Sequence, residues 1–153
     1  MMKATIWFDM DGTIANFYGV PGWLAYLQES DPTPYALAQP LVDMTELAMK
    51  LNALQEAGYR VGVISWLSKT GTPAYDRVVT ETKKAWLAQH LPTVEWDEVH
   101  IVRYGTPKQM FAHTVHDVHT VHDVLFDDEL PNRQNWTAKA YNVDQILKVL
   151  CSL

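Results

Sequence analysis

The chain has 153 residues, 48% of them hydrophobic and 20% charged, and its 12 Lys and Arg face 18 Asp and Glu for a formal charge of −6. A chain of this length makes one domain that buries most of its unfolded surface, and six Trp, seven Tyr and four Phe supply more core than a disordered chain carries. The acidic balance argues against a protein that coats duplex nucleic acid, which needs a basic face, but not against a small phosphorylated substrate held through a cation among carboxylates.

No apolar run approaches the roughly 20 residues of a membrane span. Asp9 interrupts the first apolar stretch before a signal peptide forms, so neither membrane nor secretion is expected. The single cysteine, Cys151, permits no internal disulfide, and a cytoplasmic location is the expectation.

In chain order, the apolar run Ala4 to Asp9 predicts a buried parallel strand that ends in acid. Trp23 to Glu29 predicts a short helix, and Pro32, Pro34 and Pro40 mark a loop after it. Leu41 to Glu56 carries apolar residues at 41, 44, 47, 48, 51 and 54, a helical stripe that Gly58 stops. Tyr59 to Ser65 predicts the second strand, Pro73 to Gln89 a long polar helix, Val99 to Val102 a third strand and Val124 to Phe126 a fourth. Ala138 to Val143 predicts a fifth strand before a last helix through Leu150. Strands spaced by helices predict an α/β fold, a Rossmann-like parallel sheet of about five strands with helices on both faces. No linker divides residues 1–153.

Two acids separated by one residue, Asp9 and Asp11, follow the first strand and precede Gly12 and Thr13. In an open α/β sheet that position projects both carboxylates into the crevice where ligands bind. The bland alternative is a polar turn or a calcium loop. A calcium loop needs further acids at set spacing and a closing Glu, whereas Thr13-Ile14-Ala15 follows here. Downstream, Ser65 ends the second strand, Lys108 follows the third, and Asp127-Asp128 closes the fourth.

These four motifs, in order and at strand ends, resemble the haloacid dehalogenase-like superfamily of phosphotransferases. The resemblance spans nearly the whole chain and implies a phosphomonoester hydrolase. Such hydrolysis is among the slowest uncatalysed reactions and needs acceleration of up to about 10²¹-fold. A carboxylate nucleophile divides it into formation and hydrolysis of an aspartyl-phosphate. The resemblance implies attack by Asp9, with Asp11 as general acid and then general base. It implies a Mg²⁺ ion held by Asp9, the carbonyl of Asp11 and the Asp127-Asp128 pair. Asp128 is expected to touch the ion directly and Asp127 to support it, although residue order leaves that choice open. Ser65, Lys108, Gly12 and Thr13, with Asp9 itself, are the expected phosphate-binding residues. By itself Ser65 would read as a helix N-cap, and the acid pair as a solvated turn before Pro131. Lys69 competes with Lys108, which is favoured by its place after a strand and a Gly-Thr-Pro loop.

The stretch Asp11 to Tyr18 further resembles the start of the 5'(3')-deoxyribonucleotidases, with Asn16 where that family has an acid. That likeness implies a nucleoside monophosphate substrate, with Phe17 near the nucleobase; a place in the core or at a hinge is the equal alternative for Phe17. Only about Pro21 to Pro40, within an insertion at about 14–40, is left for a cap, so a reduced cap and an open site are expected, with Trp23, Tyr26 and Trp66 at the entrance. An open site also admits polynucleotide ends or phosphosugars and leaves a homodimer open, a neighbouring subunit being one way to close it. A third reading is a binding module that keeps the fold without turnover.

The hexapeptide His113 to Val118 repeats letter for letter as His119 to Val124. A metal site through His113, His116, His119 and His122 is not expected, because a spacing of three suits neither helix nor strand. A duplicated surface segment leading into the fourth strand is the expectation.

Overall fold

The computed structural model describes residues 4–113 and 123–153. Along the chain run β1 (Thr5–Phe8), β2 (Ala15–Asn16), α1 (Trp23–Gln28), α2 (Thr33–Leu37), β3 (Gln39–Pro40), α3 (Met44–Glu56) and β4 (Arg60–Trp66). There follow α4 (Pro73–His90), β5 (Glu98–Val102), β6 (Val124–Phe126), α5 (Leu130–Asn135), β7 (Lys139–Tyr141) and α6 (Ile146–Cys151). Five strands form one sheet in the order β5-β4-β1-β6-β7, with every pairing parallel. The α/β, Rossmann-like architecture is as the strand and helix pattern predicts.

Alternation along the central strands divides the core. Ile6 and Phe8 of β1, Val61 and Val63 of β4, and Val124 and Phe126 of β6 share one cluster with Leu47 and Leu51 of α3, Trp86 and Leu87 of α4, and Ile146 and Leu150 of α6. Trp7, Ile64 and Leu125 face the other way and meet Trp136, with Phe111 and Ala112 packed beside them. The long helices thus cover one face, while among the described residues the second is covered by a 3₁₀ turn (Lys108–Phe111) and the chain around Trp136. Gly62 is required where β4 crosses the Trp7 ring, since a Cβ there would stand 2.4 Å from Trp7 Cζ3.

Between β1 and α3 the chain leaves the sheet and returns. β2 and β3 pair antiparallel, Ala15 with Pro40 and Asn16 with Gln39, so the excursion carrying α1 and α2 has a closed stem. Two boundaries differ from the sequence expectation. The proline segment after α1 is partly helical: Pro34 occupies the first turn of α2, where its missing N–H costs nothing, and Asp31 Oδ1 accepts from Thr33 N at 2.9 Å. α3 begins at Met44 rather than Leu41, because Asp43 caps it by accepting from Glu46 N at 2.9 Å.

No helix among the described residues is long and apolar enough to cross a membrane. Of the histidine repeat, His116, His119 and His122 lie outside the described residues. His113 stacks on Trp7 with ring centres 5.8 Å apart and hydrogen-bonds Glu98.

Candidate active site

Parallel pairing sets the carboxyl ends of β1, β4 and β6 side by side, Phe8 opposite Val63 on one flank and Phe126 on the other. The next residues outward are therefore neighbours: Asp9 N donates to Phe126 O at 2.9 Å, and Asp127 follows Phe126. One oxygen from each of Asp9, Asp127 and Asp128 falls within 4.8 Å of the other two. Lys108, buried, donates to Asp9 Oδ1 at 2.9 Å and Asp127 Oδ2 at 2.7 Å. Asp127 is wholly buried and fully engaged: Oδ2 also accepts from Asn132 Nδ2 and Oδ1 from Glu129 N. Asp128 is the more open of the pair; Thr13 Oγ1 lies 3.1 Å from its Oδ1 and 3.0 Å from Asp9 Oδ2, tying nucleophile candidate to acid pair.

Crowding of acids shows in their protonation. Burial, then the Asp9 charge, pushes Asp127 up to about 6 and Asp128 up to about 7. Burial works against the Lys108 ammonium, but the Asp9 and Asp127 carboxylates outweigh it and hold its pKa above the ordinary lysine value.

Asp11 sits on the open side. Burial raises its pKa, against the pull of an ammonium, Lys83 Nζ, 3.0 Å from its Oδ2. Lys83 is 1% exposed and also donates to Ser65 Oγ at 2.7 Å and Trp66 O at 2.8 Å. In the sequence this lysine is one more charge in the polar run from Pro73 to Gln89. A signal was there: Tyr75, Val79, Lys83, Trp86 and Leu87 are the buried residues of α4, and Lys83 occupies the middle of that helical stripe.

A cleft of about 280 Å³ opens above Asp9, Asp11 and Lys108. Its walls are aromatic: Phe17, Tyr18, Trp23 and Tyr35 from the excursion, Trp66 and Tyr104 from the sheet side. The Trp66 and Tyr104 rings are 5.0 Å apart, and Trp66 is anchored through Nε1 to Thr106 O. Lys69, at the mouth, stands 5.0 Å above the Tyr104 ring.

Asp9, Asp11, Lys108, Phe17, Trp23 and Trp66, all singled out from sequence, thus meet at one cleft, while Tyr26 does not line it. Phe17 is buried against Tyr35, Tyr75 and Val79 and also lines the cleft. Ser65 is fully buried behind Asp11, joined to it through Lys83. Gly12 and Thr13 need correction as phosphate-binding residues. Their amides are used inside the turn, Gly12 N donating to Ala15 O and Thr13 N to Met10 O, and the Thr13 hydroxyl lies between Asp9 and Asp128. They shape the turn: Gly12 has φ +84°, and a Cβ there would meet Asp128 Oδ2 at 2.5 Å.

The donor set fits a hard divalent cation such as Mg²⁺. The three grouped side-chain ligand atoms are carboxylate oxygens, and the four carboxylates Asp9, Asp11, Asp127 and Asp128 face two ammonium groups, Lys83 and Lys108, a formal excess of two negative charges. No family model and no curated protein matches the chain. Among solved structures, D,D-heptose 1,7-bisphosphate phosphatase from Burkholderia thailandensis superposes on 86% of this chain and 70% of its own at 16% identity, with a TM-score of 0.49. At that identity and score the likeness says nothing about chemistry.

Proposed function

We propose that this chain is a Mg²⁺-dependent phosphomonoester hydrolase of the haloacid dehalogenase-like kind, acting through an aspartyl-phosphate on Asp9. The observation that carries the reading is the grouping of Asp9, Asp127 and Asp128 oxygens within 4.8 Å, with Lys108 between Asp9 and Asp127, and with Asp9 and Lys108 themselves lining an open cleft. A resident Mg²⁺, held by Asp9, Asp128 and the Asp11 carbonyl with Asp127 in support, would supply charge neutralisation between carboxylate and phosphate.

In the first half-reaction an Asp9 carboxylate oxygen attacks phosphorus, the bond to the leaving oxygen breaks, and that oxygen takes the proton of Asp11. The upward shift of Asp11 by burial suits an acid that must be protonated when substrate arrives. In the second, Asp11 as carboxylate takes a proton from water, the water oxygen bonds to phosphorus, and the Asp9–phosphorus bond breaks to free inorganic phosphate. In this reading Lys108 and the Ser65 hydroxyl receive the phosphoryl oxygens.

For the leaving group, the aromatic walls favour a planar base, which stacks on such rings, over a bare sugar, which needs converging hydroxyl partners. A nucleoside monophosphate is therefore our preferred substrate class. The test is hydrolysis of p-nitrophenyl phosphate, then a panel of deoxynucleoside monophosphates, sugar phosphates and 3'-phosphorylated oligonucleotides. Activity is expected with Mg²⁺, lost with EDTA and in Asp9→Asn, and lowered at least about 10²-fold in Asp11→Asn, the low end for general acid–base catalysis. Wild-type protein without turnover under any divalent cation would leave a binding module instead.

A further inference from the structure

Lys83 stands 18 residues beyond Ser65 on a different element, yet its ammonium is spent entirely on the site. It has three N–H donors. The three acceptors in reach are Ser65 Oγ at 2.7 Å, Trp66 O at 2.8 Å and Asp11 Oδ2 at 3.0 Å. Its Nζ also stands 5.1 Å above the ring of Tyr35 on α2. An ammonium cannot accept, so Ser65 Oγ accepts from it, and the serine proton must point away from Lys83. A serine left free would rotate its hydroxyl and present either a lone pair or a proton; this one is held as a donor toward whatever lies on its remaining side.

The same ammonium restrains the Asp11 carboxylate through Oδ2 and leaves Oδ1 for other partners. Trp66 O completes the fixation by tying the ammonium to the end of β4, a strand buried along Val61 to Ser65. Burying a lysine this deeply is costly unless every donor is satisfied, and each one here is satisfied by the site rather than by a remote ion pair.

We propose that Lys83 is a positioning residue for phosphoryl transfer, locking the Ser65 hydroxyl as a donor and the Asp11 carboxylate in its reactive placement as a single unit. This rests on the hydrolase reading above and adds a residue to it from outside the four strand-end motifs. Lys83 does not touch the phosphoryl group; it acts through the two residues that flank it.

The experiment is a double-mutant cycle on p-nitrophenyl phosphate hydrolysis using Lys83→Met, Ser65→Ala and the pair, with thermal midpoints followed in parallel. Lys83→Met is expected to lower kcat by about 10²-fold, the loss that misplaced reacting groups bring, with little change in KM. In the Ser65→Ala background the same change is expected to cost much less, because the two share one interaction. A kcat within threefold of wild type, or losses that simply multiply, overturns the proposal, since a structural lysine acts independently of Ser65. Should Lys83→Met not fold, Lys83→Arg, which keeps the charge but not the three-point geometry, runs the same cycle under the same criteria. Wild-type protein without phosphatase turnover overturns the hydrolase reading and this proposal together; an active wild type with an indifferent Lys83 overturns this proposal alone.

Discussion

Gly12 concentrates two constraints in one residue. Its φ of +84° excludes most side chains, and the space a Cβ would take is held by the Asp128 carboxylate. The backbone penalty for a non-glycine residue there is about 1–2 kcal/mol. Moving Asp128 would also spread the carboxylate group that Asp9 and Asp127 complete. Gly12→Ala is therefore expected to lower the thermal midpoint modestly and to raise the Mg²⁺ concentration for half-maximal activity by at least about tenfold, the scale of damage to groups that orient metal ligands. Titration of activity against Mg²⁺ checks this; an unchanged requirement would mean that Asp128 does not serve the ion. Thr13 shows the same economy, its hydroxyl joining neighbouring Asp9 to Asp128, which lies 115 residues beyond Thr13 in sequence.

At the scale of elements, polar anchoring ties the second sheet face together beside its apolar cluster. Asp123, just before β6, accepts from Thr5 N at 2.9 Å, Trp7 Nε1 at 3.0 Å and His113 N at 2.8 Å, joining β1, β6 and the chain after the 3₁₀ turn. Asp123→Ala strands buried donors at about 1–3 kcal/mol each. Urea denaturation is expected to show a loss of at least about 2 kcal/mol by that reckoning; a change below about 0.5 kcal/mol, ordinary for a surface site, would refute the anchoring role. The excursion between β2 and β3 makes a separate contribution, the aromatic wall. Trp23, 5.6 Å from Phe17 and 5.1 Å from Tyr18 between ring centres, is the ring that α1 contributes to it. Base stacking on one ring contributes about 1–3 kcal/mol, so Trp23→Ala is expected to raise KM for a nucleoside monophosphate about tenfold while leaving p-nitrophenyl phosphate turnover within a few-fold. An equal loss on both substrates would place Trp23 in the scaffold instead.

Across the whole molecule, charge couples the site to stability. Burial and the Asp9 charge push Asp127 up to about 6 and Asp128 up to about 7 in the folded chain, above the ordinary 3.8. A carboxyl with a raised folded pKa binds its proton more tightly when folded, so its contribution is full below pH 4 and is lost as pH climbs through 6 to 7. Without divalent cations the thermal midpoint is expected to fall between pH 5 and pH 8. Mg²⁺ binds the ionised carboxylates and stabilises the folded state by mass action, so the rise in midpoint on adding Mg²⁺ is expected to be larger at pH 8 than at pH 5. Melting curves at both pH values with and without Mg²⁺ decide it. An increment independent of pH would show that these acids do not hold the ion.

Sequence by itself determined the sheet and the acids at its edge, because both are local signals. An apolar run ending in Asp announces a buried strand that stops at a crevice, and it does so independently at Asp9 and at Asp127-Asp128. Helical periodicity placed α3 and the polar run from Pro73 gave α4, whereas the cap at Asp43, the proline-initiated turn of α2 and the short α5 carried no such signal. What tertiary structure alone decided were contacts between elements distant in the chain. Lys83 belongs to the site because α4 packs its buried stripe against β4 and α2, and no spacing around Ser65 signals that. Thr13 faces carboxylates instead of the cleft because the turn consumes its amide and sets its hydroxyl between two strand ends. The aromatic wall likewise exists only once the β2–β3 stem folds Tyr18, Trp23 and Tyr35 over the sheet. Strand ends are written in short patterns of polarity, whereas the partner of a buried charge is chosen by the packing of the whole chain.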